Sequence, residues 1–276
     1  MMESVAESER YARARDLDSW RRDTRIAERG FAHAWVSRVD DGNGEDFFLA
    51  TIDQLIGADD VVLDLGCGHG ELTLALAERA RSAVGVDREP AYLMLARELA
   101  RERGVTNVRF VDFTFAGDDA RLPLTDASVT LVVNRRGPTA DKWLGEVRRV
   151  ARPGTPVVVM HPAGGPPRPA WSRQLPAWLE SCFGAVPFDQ VRSWVEAPLS
   201  VAGITDYQLW WFDVPEWFTS AEELYRRLAG NGSAPPDASE ARAALRQVIA
   251  RRSGTQGLPL RHQRLVAQFR LPDAAS

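Results

Sequence analysis

Between Val61 and Ala77 the chain reads VVLDLGCGHGELTLALA, with three glycines at alternate positions between two apolar runs. The first run, Val61–Leu65, is short and valine-rich, as a buried strand is; the second, from Glu71, is long enough for a helix. A strand passing into a helix through Gly66, Gly68 and Gly70 constrains the fold more than any other stretch of this chain. Glycine permits the tight turn and lets backbone approach a bound group closely. The helix N-terminus beyond it offers unpaired N–H groups. The spacing is G-x-G-x-G with an acid, Asp64, two residues before it, so the dinucleotide pattern G-x-G-x-x-G is not met.

Around this stretch, β-rich runs alternate with helical patterns, which is how a parallel sheet with crossover helices reads. The predicted strands are Val61–Leu65, Ala83–Asp87, Val108–Val111, Val129–Asn134, Pro156–His161, Tyr207–Val214 and Arg264–Leu271. Helices are expected near Glu71–Ala80, Pro90–Arg103 and Asp141–Val150, the last stopped by Arg152-Pro153-Gly154. Residues 1–58 read as an N-terminal helical cover carrying Tyr11, Trp20, Phe31 and Trp35, ahead of a main domain over 59–276. Residues 162–190 are rich in Pro, Gly and Trp and read as a cap insertion after strand five. The stretch GNGSAPPDASE, 230–240, reads as a loop.

Several segments now resemble one family. Asp64-Leu65-Gly66-Cys67-Gly68-His69-Gly70 is similar to the first motif of class I S-adenosylmethionine (SAM)-dependent methyltransferases, and Val84-Gly85-Val86-Asp87 to their second strand. Gly117–Leu124, GDDARLPL, resembles the segment that lines the adenine, and Arg149–Gly154, RVARPG, the turn before the fifth strand. The match covers about residues 58–161 and looks nearest to the ubiquinone/menaquinone-biosynthesis type. The resemblance implies an α/β fold: a Rossmann-like, seven-stranded, mostly parallel sheet flanked by helices, with SAM as cofactor.

The cofactor's chemistry agrees with these residues. Asp64 is suited to the ammonium of the methionine moiety, and Asp87, about 20 residues beyond the glycines, to the ribose hydroxyls. Gly66, Gly68 and Gly70 form the cradle, Arg88 adjoins the ribose acid, and Asp118 and Asp119 fall in the adenine segment. The chain from Phe110 to Asp118 is longer than the family's usual spacing, which leaves Asp112 as a competitor of Asp118. Cys67 reads as a small filler.

In this family the acceptor approaches across the ends of strands four and five, here Asn134-Arg135-Arg136-Gly137-Pro138 and His161-Pro162. Asn134 is placed to touch the methionine moiety or the acceptor. Arg135 and Arg136 point to a carboxylate or phosphate on the acceptor; the competing reading is a salt bridge to Asp141, Glu146 or an N-terminal acid. Residues adjacent in a strand point to opposite sides, so one of the two is expected to face the ligand. His161 is a candidate general base, with a hydrogen-bonded structural role as the alternative. His33 is a weaker candidate. The tryptophans near the insertion, Trp171, Trp178 and Trp194, and those near strand six, Trp210, Trp211 and Trp217, suit either a cage over the sulfonium or core filling.

Composition removes other classes. A net charge of -4 argues against a broad nucleic-acid-binding face. Two distant cysteines and four histidines offer no metal-ligand spacing. No apolar run approaches the roughly 20 residues of a membrane span, and the charged N-terminus lacks a leader's apolar core, so a cytoplasmic enzyme is expected. The reading is a SAM-dependent methyltransferase acting on an O or N atom of a small, anionic metabolite. Intramolecular cyclisation of the SAM aminobutyryl chain, RNA methylation and non-catalytic SAM binding stand as alternatives. Oligomeric state is not legible.

Overall fold

The computed structural model describes residues 38–39, 44–115, 120–163, 168–181, 183, 188–229 and 238–272. Their strands are β1 (Arg38–Val39), β2 (Val61–Leu65), β3 (Ser82–Asp87), β4 (Val108–Asp112), β5 (Leu131–Arg135), β6 (Pro156–Ala163), β7 (Tyr207–Phe218) and β8 (Leu258–Arg270). The helices are α1 (Glu45–Asp53), α2 (Glu71–Ala77), α3 (Pro90–Glu102), α4 (Ala140–Val150), α5 (Ala177–Glu180), α6 (Phe188–Val201), α7 (Ala221–Ala229) and α8 (Ser239–Arg252). One sheet orders them β1-β7-β8-β6-β5-β2-β3-β4. From β6 to β4 every pair is parallel, whereas β8 runs antiparallel to both β6 and β7.

The predicted Rossmann-like sheet is present, with its seven strands in the expected places. The two-residue β1 extends it to eight by pairing with Trp217 and Glu216 at the β7 edge. β5, the fourth of the expected strands, starts two residues later than expected, at Leu131, because Val129 bridges to Ala151 instead. Of the N-terminal segment, the described part is β1 and α1; Tyr11, Trp20, Phe31, His33 and Trp35 lie outside the described residues.

Sequence dictates these elements locally. β2 buries Val62, Leu63, Asp64 and Leu65, since a parallel strand covered by helices on both faces has no solvent side. Proline begins α3 at Pro90, where a missing N–H costs nothing. Gly104, at φ +67°, ends it, and the Val105 N–H closes onto Ala100 O at 2.9 Å. In α4, Trp143, Leu144, Val147 and Val150 recur at helical spacing and are buried against β6 and α6. Arg149, near its end, pairs with Glu146 and donates to Leu122 O and Leu124 O, while Glu146 accepts from the Leu122 N–H at 2.6 Å. Two segments recognised separately in the sequence, RVARPG and LPL, are thus one clamp.

β7 and β8 pair along their whole length, but β6 pairs only with Gln263–Arg270. Residues 258–262 therefore extend past β6 at the edge where the parallel strands end, by about 17 Å at the usual strand rise. This ribbon carries a second core: Phe218, Leu258 and Leu260 pack with Trp171 and Leu179 of the insertion and with Leu224 and Leu245 of α7 and α8. Of the 162–190 segment expected as a cap, the 3-10 turn at Ala170–Gln174 and α5 join this core, together with α7 and α8 from the segment between β7 and β8. From Val191 onward, α6 packs in the main core. Periodicity did not reveal the partnership because the two segments meet only through the ribbon.

Trp143 is fully buried, and its Nε1–H donates to Pro138 O at 2.9 Å. Trp143→Ala should lower unfolding free energy by about 3–5 kcal/mol, the range for deleting a large buried ring, in denaturant titration. A loss below about 1 kcal/mol would mean the α4 packing has been misassigned.

Candidate functional site

The sheet's strand order reverses between β2 and β5, and in open α/β sheets a crevice forms at that point beyond the strand ends. A cavity of about 550 Å³ lies there. Its wall includes Asp64, Gly66, Cys67 and Gly68 from the glycine loop, Asp87, Arg88, Glu89 and Tyr92 after β3, and Phe113, Thr114 and Phe115 after β4. Arg135, Arg136, Gly137, Pro138 and Lys142 close it from β5 and α4.

The glycine loop hangs on the end of β3, the Gly66 and Cys67 N–H groups donating to Val86 O at 2.8 and 3.0 Å. Gly66 (φ +75°) approaches the β5 loop so closely that a Cβ on it would stand 2.6 Å from Gly137 Cα. A Cβ on Gly137 would stand 2.2 Å from Leu65 O. Neither loop has room for a side chain, and together they make the cradle. Gly70, expected in the cradle, does not line the cavity. It precedes α2 at φ +82°, and a Cβ there would meet the Phe110 ring at 2.7 Å, so its glycine serves packing.

Asp87 accepts from the Gly68 N–H at 2.8 Å and the Glu89 N–H at 2.9 Å, one on each carboxylate oxygen. Each oxygen retains a second lone pair for a ligand hydroxyl. Asp64 is 2% exposed and accepts from Thr73 Oγ1–H at 2.6 Å. Burial pushes its carboxyl up to about 6, with the Thr73 hydrogen bond and the Arg135 charge opposing and the Asp87 charge adding to the rise. Arg88 lies at the rim, more than half exposed, beside Glu89. Burial raises the Cys67 thiol, as do the Asp64 and Asp87 charges, so this residue is a filler rather than a nucleophile. Asp118, Asp119 and Cys182 lie outside the described residues. Their competitor Asp112 is exposed and does not line the cavity, whereas Phe113 and Phe115 do.

Asn134 is fully buried and is not in the cavity wall. Its Oδ1 accepts from the Gly137 N–H and its Nδ2–H donates to Pro138 O, both at 2.8 Å. The side chain shapes the turn instead of lining the cavity, which corrects the expected contact with methionine or acceptor. His161 is corrected likewise. It is 3% exposed, outside the cavity, its Nε2 unpartnered, and burial alone pushes it down to about 4. It shares a strand face with Val157 and Val159 and does not reach the cavity, and burial leaves its neutral imidazole a weak proton acceptor.

Both arginines line the cavity, against the expectation of one. Arg136 has φ +62°, which breaks the strand's alternation, and its N–H donates to Met160 O at 2.8 Å. Its guanidinium is ion-paired with Glu45 of α1, and Arg264 of β8 stands 3.7 Å from the same carboxylate oxygen. Glu45 and Arg264 are 3% and 2% exposed. Burial works against the charge of both guanidiniums and the Glu45 carboxylate supports it. The N-terminal-acid alternative thus holds for Arg136. None of the described tryptophans lines the cavity; its aromatic residues are Tyr92, Phe113 and Phe115. Trp171 and Trp178 belong to the second core, and Trp194 and Trp211 pack against the main core. Trp210 packs on Phe47. Glu45, Gly137 and Arg264 escaped the sequence reading: their roles depend on contacts distant in sequence, and only Gly137, directly after two arginines at a strand end, carried a local hint.

An acid at the end of each of the first two parallel strands, a side-chain-free cradle and an aromatic-walled cavity define a nucleoside-binding Rossmann-like site. The family model for the methyltransferase domain matches residues 56–222, and the chain belongs to that family, whose cofactor is SAM. Among curated relatives, the chain is 44% identical over 77 residues to the 23S rRNA (uracil(1939)-C(5))-methyltransferase RlmD of Aeromonas hydrophila, covering 28% of this chain and 18% of that protein. It is 40% identical over 105 residues to demethylmenaquinone methyltransferase of Thermus thermophilus, covering 36% and 46%. The chain thus spans less than half the length of these relatives. A solved structure, the YcgJ protein of Bacillus subtilis, shares the fold at a TM-score of 0.54 with 19% identity, over 82% of this chain and 98% of that one. No helix among the described residues is long and apolar enough to cross a membrane.

The residues fit SAM: an anionic wall at Asp64 for the ammonium, open lone pairs at Asp87 for hydroxyls, and a cradle that a Cβ would fill. Two outcomes follow. Gly137→Ala should cut SAM affinity at least tenfold in calorimetry, because the β5 turn must retreat from Leu65 O; unchanged affinity would remove the two-loop contact from the site. With Asp64 half-protonated near pH 6 when free, a bound ammonium favours its carboxylate, so binding releases a proton. Affinity should rise by up to about tenfold per pH unit between pH 5 and 6 and level off above; in Asp64→Asn that slope should vanish. A wild-type affinity independent of pH would show that Asp64 does not meet the ammonium.

Proposed function

We propose that this chain transfers the SAM methyl group to an oxygen or nitrogen atom of a small metabolite bearing a carboxylate or phosphate. The observation that carries the reading is Arg135, the last residue of β5, which lines the same cavity as the Gly66–Gly68 cradle. Arg136 stands beside it, fastened to Glu45. When bound, SAM supplies an electrophilic methyl on a sulfonium; the methyl–sulfur bond pair stays on sulfur as the acceptor's lone pair forms the new bond.

The protein's part is positioning and exclusion of water. Asp64 and Thr73 fix the amino-acid end, Asp87 the ribose, and Phe113, Phe115 and Tyr92 wall the cavity against solvent. Alignment of an already nucleophilic acceptor contributes most of the rate in such a transfer, so no base is required at His161. The demethylmenaquinone methyltransferase relative supports a small acceptor. The rRNA methyltransferase relative favours RNA, but only 18% of that protein is matched, and the chain's net charge of -4 opposes a phosphate-tracking surface.

Incubation with SAM and small molecules from cell extract should yield S-adenosylhomocysteine and one methylated anionic product by mass spectrometry. Methylthioadenosine from SAM alone would replace this reading with cyclisation. Methylation of RNA but of no small molecule would replace it with the RNA reading. For the acceptor so found, Arg135→Ala should lower kcat/KM by roughly 10–150-fold, the equivalent of about 1.5–3 kcal/mol for a charged hydrogen bond, with SAM affinity nearly constant. Arg136→Ala should instead lose thermal stability, since it leaves the buried Glu45 carboxylate with only the more distant Arg264 guanidinium. Equal, parallel losses of stability and SAM affinity in both variants would withdraw the anionic acceptor.

A further inference from the structure

Away from the cofactor cavity, α4 and α6 enclose a second, open groove of about 800 Å³. Its floor is apolar: Leu144, Trp194, Ala197, Pro198 and Val201 line it, and Val201 is 91% exposed. Gly145 also lines it, in the middle of α4, where a Cβ would meet nothing within 4 Å. Glycine inside a helix costs about 1 kcal/mol relative to alanine, and among the described residues no close neighbour compensates that cost.

The charges on this face are arranged about the same point. Asp141 and Arg148 both line the groove, seven residues apart and so two turns along one side of α4, with Leu144 and Gly145 at the midpoint. Arg148 makes no ion pair among the described residues, and it is exposed. Asp141 holds Lys142 at 3.1 Å, an exposed pair of little worth. A surface that mates with itself across a two-fold axis must place opposite charges at equal distances from that axis. Asp141 and Arg148 satisfy this condition when two α4 helices cross antiparallel at Gly145, where the missing side chain lets the backbones approach.

We propose that the α4–α6 face is the two-fold interface of a homodimer of this chain, with the α4 helices crossing at Gly145 and Asp141 pairing with Arg148 of the second copy. Trp194 and Val201 flank the crossing as its apolar contacts, and Trp194, half-buried in the groove, is the kind of anchor that dominates such interfaces. The pattern favours a second copy over an unrelated protein because the complementarity is internal to one helix. The inference does not depend on the methyl acceptor.

Sedimentation velocity of the full chain from 1 to about 100 μM, a range set by ordinary dimer affinities, should show a species of twice the 30.6 kDa chain mass. Arg148→Asp and Asp141→Arg should each weaken association at least tenfold. The double exchange, which restores opposite signs across the axis, should recover it. Gly145→Cys should form an intermolecular disulfide on mild oxidation faster than the wild-type chain with its own two cysteines. A monomer at every concentration would leave the groove to a small apolar ligand or another protein and overturn the proposal. So would a dimer indifferent to the charge reversals, or a Gly145→Cys variant that cross-links no faster than wild type.

Discussion

The contact between Gly66 and Gly137 is the point on which the rest of the site depends. Strand order reverses between β2 and β5, so the loops leaving these two strands turn away in opposite directions and open a crevice. The crevice can hold a ligand against backbone only if the two loops meet without side chains; a Cβ on Gly66 would stand 2.6 Å from Gly137 Cα, and one on Gly137 2.2 Å from Leu65 O. Around that contact the remaining groups fall into place. Asn134 and Trp143 hold the β5 turn through Gly137 and Pro138, and the end of β3 holds the glycine loop through Val86 O.

Arg136 links this region to the N-terminal segment. Its left-handed backbone turns it into the cavity beside Arg135, and Glu45 holds it there while also standing near Arg264. Two guanidiniums and one carboxylate thus share a buried region at the junction of α1, β5 and β8. Breaking such a group by removing one member is costly, because the others cannot recover their hydration. The arginine pair in the sequence therefore divides its labour: Arg135 stands on the cavity wall, and Arg136 ties α1 to it. His161 and Asn134, which look catalytic by their places at strand ends, belong to the other face of the sheet, with Val157 and Val159 and with Val132.

The sequence by itself determined the parallel half of the sheet, the glycine loop and both acids. Each is written in a local signal: a valine-rich run, a glycine spacing, an acid at a strand end. Strand length and the acids at Asp64 and Asp87 need only local geometry to be legible. Tertiary structure alone decided the second core, the Glu45–Arg136–Arg264 group and the role of Gly137. These depend on segments distant in sequence: two insertions meet on a ribbon that overshoots β6, and an N-terminal acid reaches a β5 arginine. No periodicity encodes such meetings. The alternation of side chains along β5 predicted one arginine in the cavity; a single positive φ at Arg136, whose side chain pairs with Glu45 of α1, put two there.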